Sequence, residues 1–448
     1  MKSNQRTEGG LAGMVAATPE SRDRYVDLLR VFSILVVVVG HWLMAVIYLD
    51  GDGLTGASAL DTVPGLWLLT WVLQVMPLFF LVGGFSNLVA WRSIRKKELS
   101  YADFLRSRIT RLMRPTLVFI GIWTGAAVII RMVFPTSFDE LKMATELLAK
   151  PLWFLAVYVM VVALAPLMLA VHERFGITAL GFMLGAAGCV DALRIGFDIP
   201  GVGYLNFATV WLFAHQLGFF YADGTLASLS RRFYVGLAAA SLGALALLTG
   251  SGIYSPSMVG MNTEAASNNS PPTVCLIFLT LWLTSAAMLV RPAAARWVQR
   301  RKVWTVVIAA NSMIMTVFLW HLTAALVAVV ILFPLGFPQP PGGSALWWAW
   351  RPVWLVVLTV ILAGFVMTFS RFERAPARRE SAGADPSRGI VIGGVAALVA
   401  GLGGLAQFGF SLGPISSASE LPSQPLFNAL LVVVGYHALA SRSRSIGG

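Results

Sequence analysis

The sequence predicts an all-α polytopic membrane protein, a bundle of about ten core transmembrane helices with two further helices at the C-terminus. Of its 448 residues, 57% are hydrophobic and only 12% are charged. The apolar residues form repeated long stretches, and a stretch of about 20 apolar residues is what a helix needs to span a membrane. These observations exclude an ordinary soluble domain.

Twelve stretches between polar segments have the length and composition of membrane spans. They lie at about 26–49, 65–90, 113–134, 151–171, 176–193, 203–221, 233–251, 273–290, 304–333, 347–369, 390–410 and 425–440.

The chain divides into four predicted segments. Residues 1–24 are a polar cytoplasmic tail, and residues 25–370 are a membrane domain of ten spans. Residues 371–389, RFERAPARRESAGADPSRG, have the composition of a disordered cytoplasmic linker. Residues 390–448 carry the two additional spans and are interpreted as an appendage.

The basic residues determine the predicted orientation. Cytoplasmic loops of membrane proteins are enriched in Arg and Lys. With the N-terminus in the cytoplasm, the other side would keep only five of the 33 basic residues, namely Arg131, Lys142, Lys150, Arg194 and Arg351. We therefore expect both termini in the cytoplasm. Arginine outnumbers lysine, which favours a bacterial source and hence the plasma (inner) membrane.

The charge and the cysteines exclude several partners and cofactors. The formal net charge of +12 does not indicate a nucleic-acid partner, because the basic residues cluster in alternate loops. Cys189 and Cys275 both lie in apolar surroundings and lack metal-type spacing. We expect neither a bound metal nor a disulfide.

The first span, YVDLLRVFSILVVVVGHW, carries an acid, a base and a histidine on one stripe. At about 100° per residue, Asp27, Arg30 and His41 fall within about 60° of one another. The structural alternative is a charged pair at the membrane border and a histidine that packs between helices. Polar groups in lipid are costly and mark functional sites, so the shared stripe favours function. Neutral imidazole can accept a proton from an attacking hydroxyl and later return it.

Depth predicts which histidines could meet. His41 lies about 22 Å above the inner end of its span, and His321 lies about 25 Å above the inner end of the ninth span. Both are therefore expected in the outer half of the membrane, which favours a functional role for His321. His215 lies nearer the cytoplasm, and structural hydrogen bonds are the better interpretation for it and for Asn206.

The predicted inner loop 91–115 carries Arg108, Arg111 and Arg114 at intervals of three residues. Ordinary positive-inside charge explains most such loops. Three arginines on one helical face that enters the membrane must nevertheless find anions, and guanidinium groups suit phosphates. A phosphorylated ligand and lipid headgroups both remain open.

Two further segments are less specific. In QVMPLFFLVGGFSN, Gly83, Gly84 and Ser86 permit close approach by a helix or a ligand, and helix packing is favoured. In PLWFLAVYVMVVALAP, Trp153 lies at the outer border, where aromatic residues are common. Trp153 and Asn311 are predicted on the substrate side of a polar interior.

Together these segments resemble the bacterial acyltransferase-3 family of integral membrane O-acyltransferases. In DLLRVFSILVVVVGHW, Arg30 and His41 bracket ten residues as in the opening motif of the family. PLFFLVGGF, RITRLMRP, PLWFLAVYV and FLWHL are similar to its later motifs, in the same order over about residues 22–370. Gly83 departs from the serine that the family often has.

The resemblance implies transfer of an acyl group, usually acetyl, from cytoplasmic acyl-coenzyme A to a hydroxyl of an extracytoplasmic envelope glycan or glycolipid. It makes His41 the catalytic residue, as general base or as acyl carrier, and assigns Arg30 and the arginine triplet to the donor. One candidate acceptor is a mycolate-type trehalose glycolipid. Expected partners are membrane lipid and other envelope-biosynthesis membrane proteins.

Two alternatives remain at this point. Twelve spans with both termini inside is a common plan for a secondary transporter of a small solute or an envelope lipid precursor. A transporter predicts charged or broken helices near the midplane in both halves. An enzyme acting on polyprenyl-phosphate sugars should show clustered acidic residues for a metal, and the sequence has none.

The orientation has a direct test. In a variant that lacks the native cysteines, a cysteine at Ser267 should react with an impermeant thiol reagent on intact cells, whereas one at Lys97 should not. Labelling at Lys97 without labelling at Ser267 would reverse the orientation.

Overall fold

The computed structural model describes residues 11–16, 18–19, 21–50, 53–133, 138–260, 267–373, 385–412 and 424–441. It is 80% helical, with one small antiparallel sheet, which confirms the all-α class. Among the described residues, ten helices are long and apolar enough to cross a membrane. The chain is therefore a multi-pass membrane protein.

The α-helices and strands follow in chain order. The first nine helices are α1 (Leu11–Ala16), α2 (Arg24–Met44), α3 (Ala59–Thr62), α4 (Thr70–Leu73), α5 (Met76–Lys96), α6 (Tyr101–Val133), α7 (Phe138–Ala149), α8 (Leu152–Phe175) and α9 (Thr178–Asp191). The others are α10 (Asn206–Ala222), α11 (Thr225–Ser228), α12 (Arg231–Gly250), α13 (Val274–Val298), α14 (Arg301–Asn311), α15 (Ile314–Leu332), α16 (Ala345–Phe369), α17 (Arg388–Phe408) and α18 (Gln424–Ala440). Strands β1 (Ala45–Asp50) and β2 (Gly53–Ser58) lie between α2 and α3.

Ten of the twelve predicted spans correspond to the ten long helical segments. The other two, predicted at 203–221 and 425–440, are α10 and α18, each with 17 residues. At 1.5 Å per residue, each is about 26 Å long, which is near the lower limit for a span.

The first predicted span is too long at its C-terminal end. The structure ends α2 at Met44, and residues 45–50 form β1, which pairs with β2 in register from Ala45 opposite Ser58 to Asp50 opposite Gly53. The sequence AVIYL explains the change, because β-branched and aromatic side chains favour a strand. Apolar composition alone could not distinguish this strand from a further helical turn.

Two predicted spans are interrupted. The span at 65–90 breaks at Gln74 and Val75, and Pro77 lies in the first turn of α5, where its missing N–H costs no hydrogen bond. Gln74 Nε2 donates to Asn269 Oδ1 at 3.2 Å and to the carbonyl oxygen of Met258 at 3.4 Å. Distant loop residues therefore stabilise this break.

The span at 304–333 breaks between α14 and α15, and Glu373 caps the new helix start. Its carboxylate accepts from the N–H groups of Met315 at 3.0 Å and Thr316 at 3.1 Å, and from the Thr316 hydroxyl at 3.0 Å. A carboxylate stabilises a helix N-terminus through these bonds and through the helix dipole. Residues 371–373 of the predicted linker are therefore ordered and helical, while residues 374–384 lie outside the described part of the chain.

The predicted inner loop 91–115 is mostly helical. Helix α5 continues to Lys96 and α6 begins at Tyr101. Helix α6 has 33 residues and is about 50 Å long, longer than the apolar core of a bilayer. The arginine triplet therefore lies on a continuous helix that can extend beyond the apolar core.

Part of the predicted polar tail is ordered. Helix α1 contacts α14, with Val15 packed against a buried cluster that includes Trp304, whose Nε1 donates to the Thr18 hydroxyl at 3.2 Å. The apolar side chain of Val15 explains this contact, because its burial is favourable. Residues 1–10 lie outside the described part of the chain.

The chain forms two compact units. Unit 1 comprises residues 1–40, 63–88 and 168–314, and unit 2 comprises residues 41–62, 89–167 and 315–448.

In unit 1, α5 and α10 approach closely at two glycines. A Cβ on Gly84 would collide with the carbonyl oxygen of His215, and a Cβ on Gly218 would collide with that of Leu81. Small residues allow such close backbone contact between membrane helices. The helix-packing interpretation of the GGF segment therefore holds for Gly84.

In unit 2, the last two helices form a hairpin that packs on α6 and α7. Gly401 and Gly435 lie at the contact between α17 and α18, where a Cβ on Gly401 would come within 2.6 Å of the Asn428 carbonyl oxygen. Phe410 follows α17 and is fully buried, with its ring 6.0 Å from that of Phe119 on α6. The appendage is therefore part of the core of unit 2.

The close contact between α5 and α10 predicts that one added methyl group at Gly84 destabilises the protein. Gly84→Ala should lower the free energy of unfolding by about 1–3 kcal/mol, because the two helices must move apart. Gly121→Ala on α6 is the matched control, since no atom of the described residues would lie within 4 Å of the added methyl group; it should be neutral or stabilising by up to about 1 kcal/mol. Thermal denaturation of the purified variants in detergent measures both. Equal stability of the two variants would contradict the close crossing.

Candidate active site

His41 and His321 contact each other inside unit 2. His41 lies in the last turn of α2 and His321 lies on α15. His41 Nδ1 and His321 Nε2 are 3.0 Å apart, and the two rings stack with centroids 5.1 Å apart at an angle of 24°. The two histidines that the sequence places at one depth thus form a hydrogen-bonded pair.

A backbone carbonyl fixes which nitrogen of each neutral ring carries its proton. His321 Nδ1 is 2.6 Å from the carbonyl oxygen of Phe318, and a carbonyl oxygen can only accept, so Nδ1 of His321 donates. Nε2 of neutral His321 then has a lone pair and accepts from Nδ1–H of His41. The lone pair of His41 is therefore on Nε2, which is the atom available as a base or as a nucleophile.

Neighbouring side chains hold this pair in place. Trp42 Nε1 donates to the main-chain oxygen of His321 at 2.9 Å. The ring of Phe154 on α8 meets that of Phe318 edge to face at 5.4 Å, one turn before His321. Trp42, Phe154 and His321 are buried, whereas His41 is half-buried. The supporting residues are thus packed while His41 keeps access to its surroundings.

Arg30 belongs to a separate polar cluster in unit 1. Its Nη1 donates to Asp27 Oδ1 at 2.9 Å and to Asn311 Oδ1 at 3.4 Å, and its Nη2 donates to the Ser86 hydroxyl at 2.7 Å. Asp27 Oδ2 also accepts from Arg22 Nε at 2.6 Å. Two arginines on one carboxylate leave this cluster with a net charge of +1, so it can still attract an anion.

Asn311 lies with Arg30 in unit 1. Its Nδ2 donates to the carbonyl oxygens of Asp27 at 3.2 Å and Val307 at 3.0 Å. Because the ninth span breaks after Asn311, this residue and His321 are on different helices. The structure therefore supports a role of Asn311 in positioning Arg30, and its predicted substrate-side role stays a prediction.

The arginine triplet lies on α6 in unit 2. Arg108 and Arg114 are half-buried and Arg111 is exposed. The charge of Arg111 acts on the buried carboxylate of Glu373, the residue that caps α15. Arg111 thus interacts electrostatically with a carboxylate of the same unit, and the predicted donor role of the triplet stays a prediction.

Three other polar or aromatic residues singled out in the sequence have structural contacts. Trp153 is half-buried at the start of α8, and its ring is 6.3 Å from that of Phe154. His215 Nε2 is 3.1 Å from Asn87 Nδ2, and Asn206 Nδ2 donates to Asp191 Oδ1 at 2.8 Å. His215 and Asn206 are fully buried, as their structural interpretation predicts.

Four supporting contacts were not predicted from the sequence. The sequence favours helix packing for Ser86, whereas in the structure its hydroxyl accepts a hydrogen bond from Arg30. Trp42, Phe154 and the Phe318 carbonyl support His321. Trp42 directly follows His41 and Phe154 follows Trp153, so adjacency to the predicted residues was the available signal.

No group of three His, Cys, Asp or Glu side chains that could hold a metal ion occurs in the described ranges. The candidate functional side chains are thus a histidine pair in unit 2 and an arginine cluster in unit 1.

The fold and the histidine pair define a polytopic membrane protein with acid–base groups inside its helix bundle. The chain belongs to the acyltransferase-3 family, whose acyltransferase-domain model matches residues 23–370. This confirms the family resemblance, and the protein is an acyltransferase. No curated protein and no solved structure is significantly similar to the chain.

Family membership also decides between enzyme and transporter. The interruptions at Gln74 and after Asn311 are the broken helices that the transporter alternative predicts. Both have internal partners that explain them, and the family assignment makes the protein an enzyme.

Proposed function

We propose that this acyltransferase transfers an acyl group, acetyl in the simplest case, from cytoplasmic acyl-coenzyme A to a hydroxyl of an extracytoplasmic envelope glycan or glycolipid. The observation that carries the proposal is the hydrogen-bonded pair of His41 and His321. In this pair Nε2 of His41 is unprotonated, so its lone pair is available.

In the proposed reaction, His41 acts as the general base. Nε2 takes the proton of the acceptor hydroxyl while the hydroxyl oxygen attacks the thioester carbonyl. The carbon–sulfur bond then breaks, and the proton on Nε2 passes to the leaving thiolate, so the base is regenerated. His321 accepts a hydrogen bond from Nδ1–H of His41 throughout and stabilises the transient imidazolium. The aspartate of a Ser-His-Asp triad has the same role.

The donor would bind through its phosphates. The cluster of Arg22, Asp27 and Arg30 has a net positive charge, and Arg108, Arg111 and Arg114 add three guanidinium groups on α6. Guanidinium groups form paired hydrogen bonds with phosphate oxygens. We place the protein in a bacterial inner membrane with both termini in the cytoplasm, where coenzyme A is available.

The acceptor is proposed from the predicted orientation. Helix α2 runs from the Arg30 end to His41 over 11 residues, or about 16 Å. His41 is then in the outer half of the membrane, where an envelope glycan or a glycolipid, such as a mycolate-type trehalose lipid, would enter. Other envelope-biosynthesis membrane proteins would supply that acceptor.

His41→Ala should abolish transfer, with a loss of at least about 10²-fold, because no other atom replaces Nε2 as the base. His41→Gln should fail as well, since an amide keeps a hydrogen bond but has no basicity. His321→Ala should reduce the rate less, because it removes the orienting partner and leaves the base. The assay is transfer from labelled acyl-coenzyme A in proteoliposomes.

The control is His215→Ala, which removes another buried histidine outside the pair and should have a mild effect on turnover. Thermal stability of each variant separates loss of chemistry from loss of fold. A stable His41→Ala protein with substantial turnover would overturn the mechanism. An acyl adduct on wild-type His41, found by mass spectrometry without acceptor, would replace the general base by a covalent carrier.

Replacing Arg111 and Arg114 by alanine should weaken donor binding, because charge-assisted phosphate contacts are lost. Lysine should rescue only in part, since it lacks the planar fork. Lys97→Ala, in the turn before α6, is the matched control and should bind coenzyme A like the wild type. Equilibrium binding of coenzyme A to the purified proteins is the measurement.

An unchanged affinity in the Arg111→Ala, Arg114→Ala double variant would assign these residues to lipid headgroups and to Glu373. A lower thermal stability of Arg111→Ala alone would indicate the electrostatic interaction with Glu373, which donor binding does not require.

A further inference from the structure

An aromatic recess in unit 2 lies next to the residues that follow His41. It is formed where β1 meets the segment 333–340 and the start of α16, and it is open to the surroundings. Its volume is about 430 Å³ including space that is open to the surroundings. The open side of the recess can therefore take a ring.

The walls of the recess are mostly aromatic. Phe333, Phe337, Trp347, Trp350 and Trp354 all line it. The rings of Phe337 and Trp350 are 5.6 Å apart, and Trp350 is half-buried, so its surface is available to a ligand. Aromatic faces stack on the C–H face of sugar rings, whereas the polar rim of the recess, which includes Gln339, can bond hydroxyl groups.

Arg351 is the cationic residue of the recess. It lies two turns into α16, a helix otherwise apolar enough to span a membrane, where a charge is costly and indicates function. Its guanidinium carbon lies 3.6 Å from the ring centroid of Trp347. None of the ion pairs in the described residues includes Arg351.

The hydrogen bonds of Arg351 are weak. Nη1 donates to the carbonyl oxygens of Trp42 and Ala45 at 3.4 Å each, and the buried Nε makes no hydrogen bond within the described part of the chain. Neutral carbonyl groups hold the side chain but do not balance its charge. An anionic ligand group would do so.

The same contacts join the recess to the histidine pair. Trp42, whose carbonyl oxygen accepts from Arg351, donates its indole N–H to the main chain of His321. Ala45 lines the recess and is the first residue of β1, four residues after His41. A molecule held in the recess is therefore close to the proposed base.

We propose that this recess is the acceptor subsite, and that it takes a sugar ring carrying a carboxylate or a similar small anionic group. The ring stacks on the face of Trp350 and Phe337, and the anion pairs with Arg351. This inference rests on the proposed function, because it names the acceptor class for the same reaction.

The test compares two sugars that differ at one carbon. Methyl β-D-glucuronide and methyl β-D-glucoside share a ring, but only the first has a carboxylate. Binding to the purified full-length protein in nanodiscs is measured by saturation-transfer NMR, without donor. The wild type should bind the glucuronide about tenfold more tightly, the effect of one charge-assisted contact.

The variants separate the two contacts. Arg351→Gln should remove the preference for the glucuronide. Arg351→Lys keeps the charge and should keep part of the preference, and it provides a second test if Arg351→Gln is unstable. Trp350→Leu should weaken the binding of both sugars. Trp348→Leu is the matched control, because Trp348 is on the same helix but does not line the recess, and it should change neither affinity.

Equal binding of the two sugars by the wild type, or an unchanged preference in Arg351→Gln, overturns the acidic-acceptor subsite. Because no donor is present, these outcomes are independent of the acyl-coenzyme A reaction. A lack of acyl transfer by the wild type would instead reject the proposed function while the binding preference remains measurable.

Discussion

A polar group inside an apolar helix bundle has no water to bind, so it must find its hydrogen-bond partner in the protein. This constraint produces the histidine pair: His41 is satisfied by His321, and His321 by the carbonyl of Phe318. Because the chain of donors ends at an atom that can only accept, the direction of every bond in it is determined. A requirement of stability thereby leaves one basic nitrogen, Nε2 of His41, for chemistry.

The same constraint explains where the sequence predicts the fold and where it does not. Hydropathy locates the spans, because it measures the transfer of local segments into lipid. It cannot locate the helix breaks, because each break is stabilised from afar: Gln74 by the segment around Met258 and Asn269, and the start of α15 by Glu373, which lies 58 residues from Met315. The β1–β2 hairpin is missed for another reason, since a short apolar run has no period that separates strand from helix.

For the candidate site, the sequence predicts the residues better than their partners. Helical depth predicts that His41 and His321 lie together, and the two rings do contact each other, although the depth of His321 is counted across the break between α14 and α15. The sequence places Asn311 and His321 on one span. In the structure a helix break follows Asn311, and Asn311 accepts a hydrogen bond from Arg30. The bond of Arg30 with Ser86 joins residues 56 positions apart, and no local pattern encodes such a pairing.

The C-terminal hairpin lies outside the family match at 23–370, yet its contacts lead to the candidate catalytic pair. Phe410 packs on Phe119, and Phe119 meets the ring of Trp320 edge to face at 5.4 Å. Trp320 precedes His321 in the chain and also stacks on Phe369 with centroids 4.2 Å apart. Packed interiors transmit displacements because they contain few voids. The hairpin therefore contributes to the position of α15, and hence to the orientation of His321, although it carries none of the candidate catalytic groups.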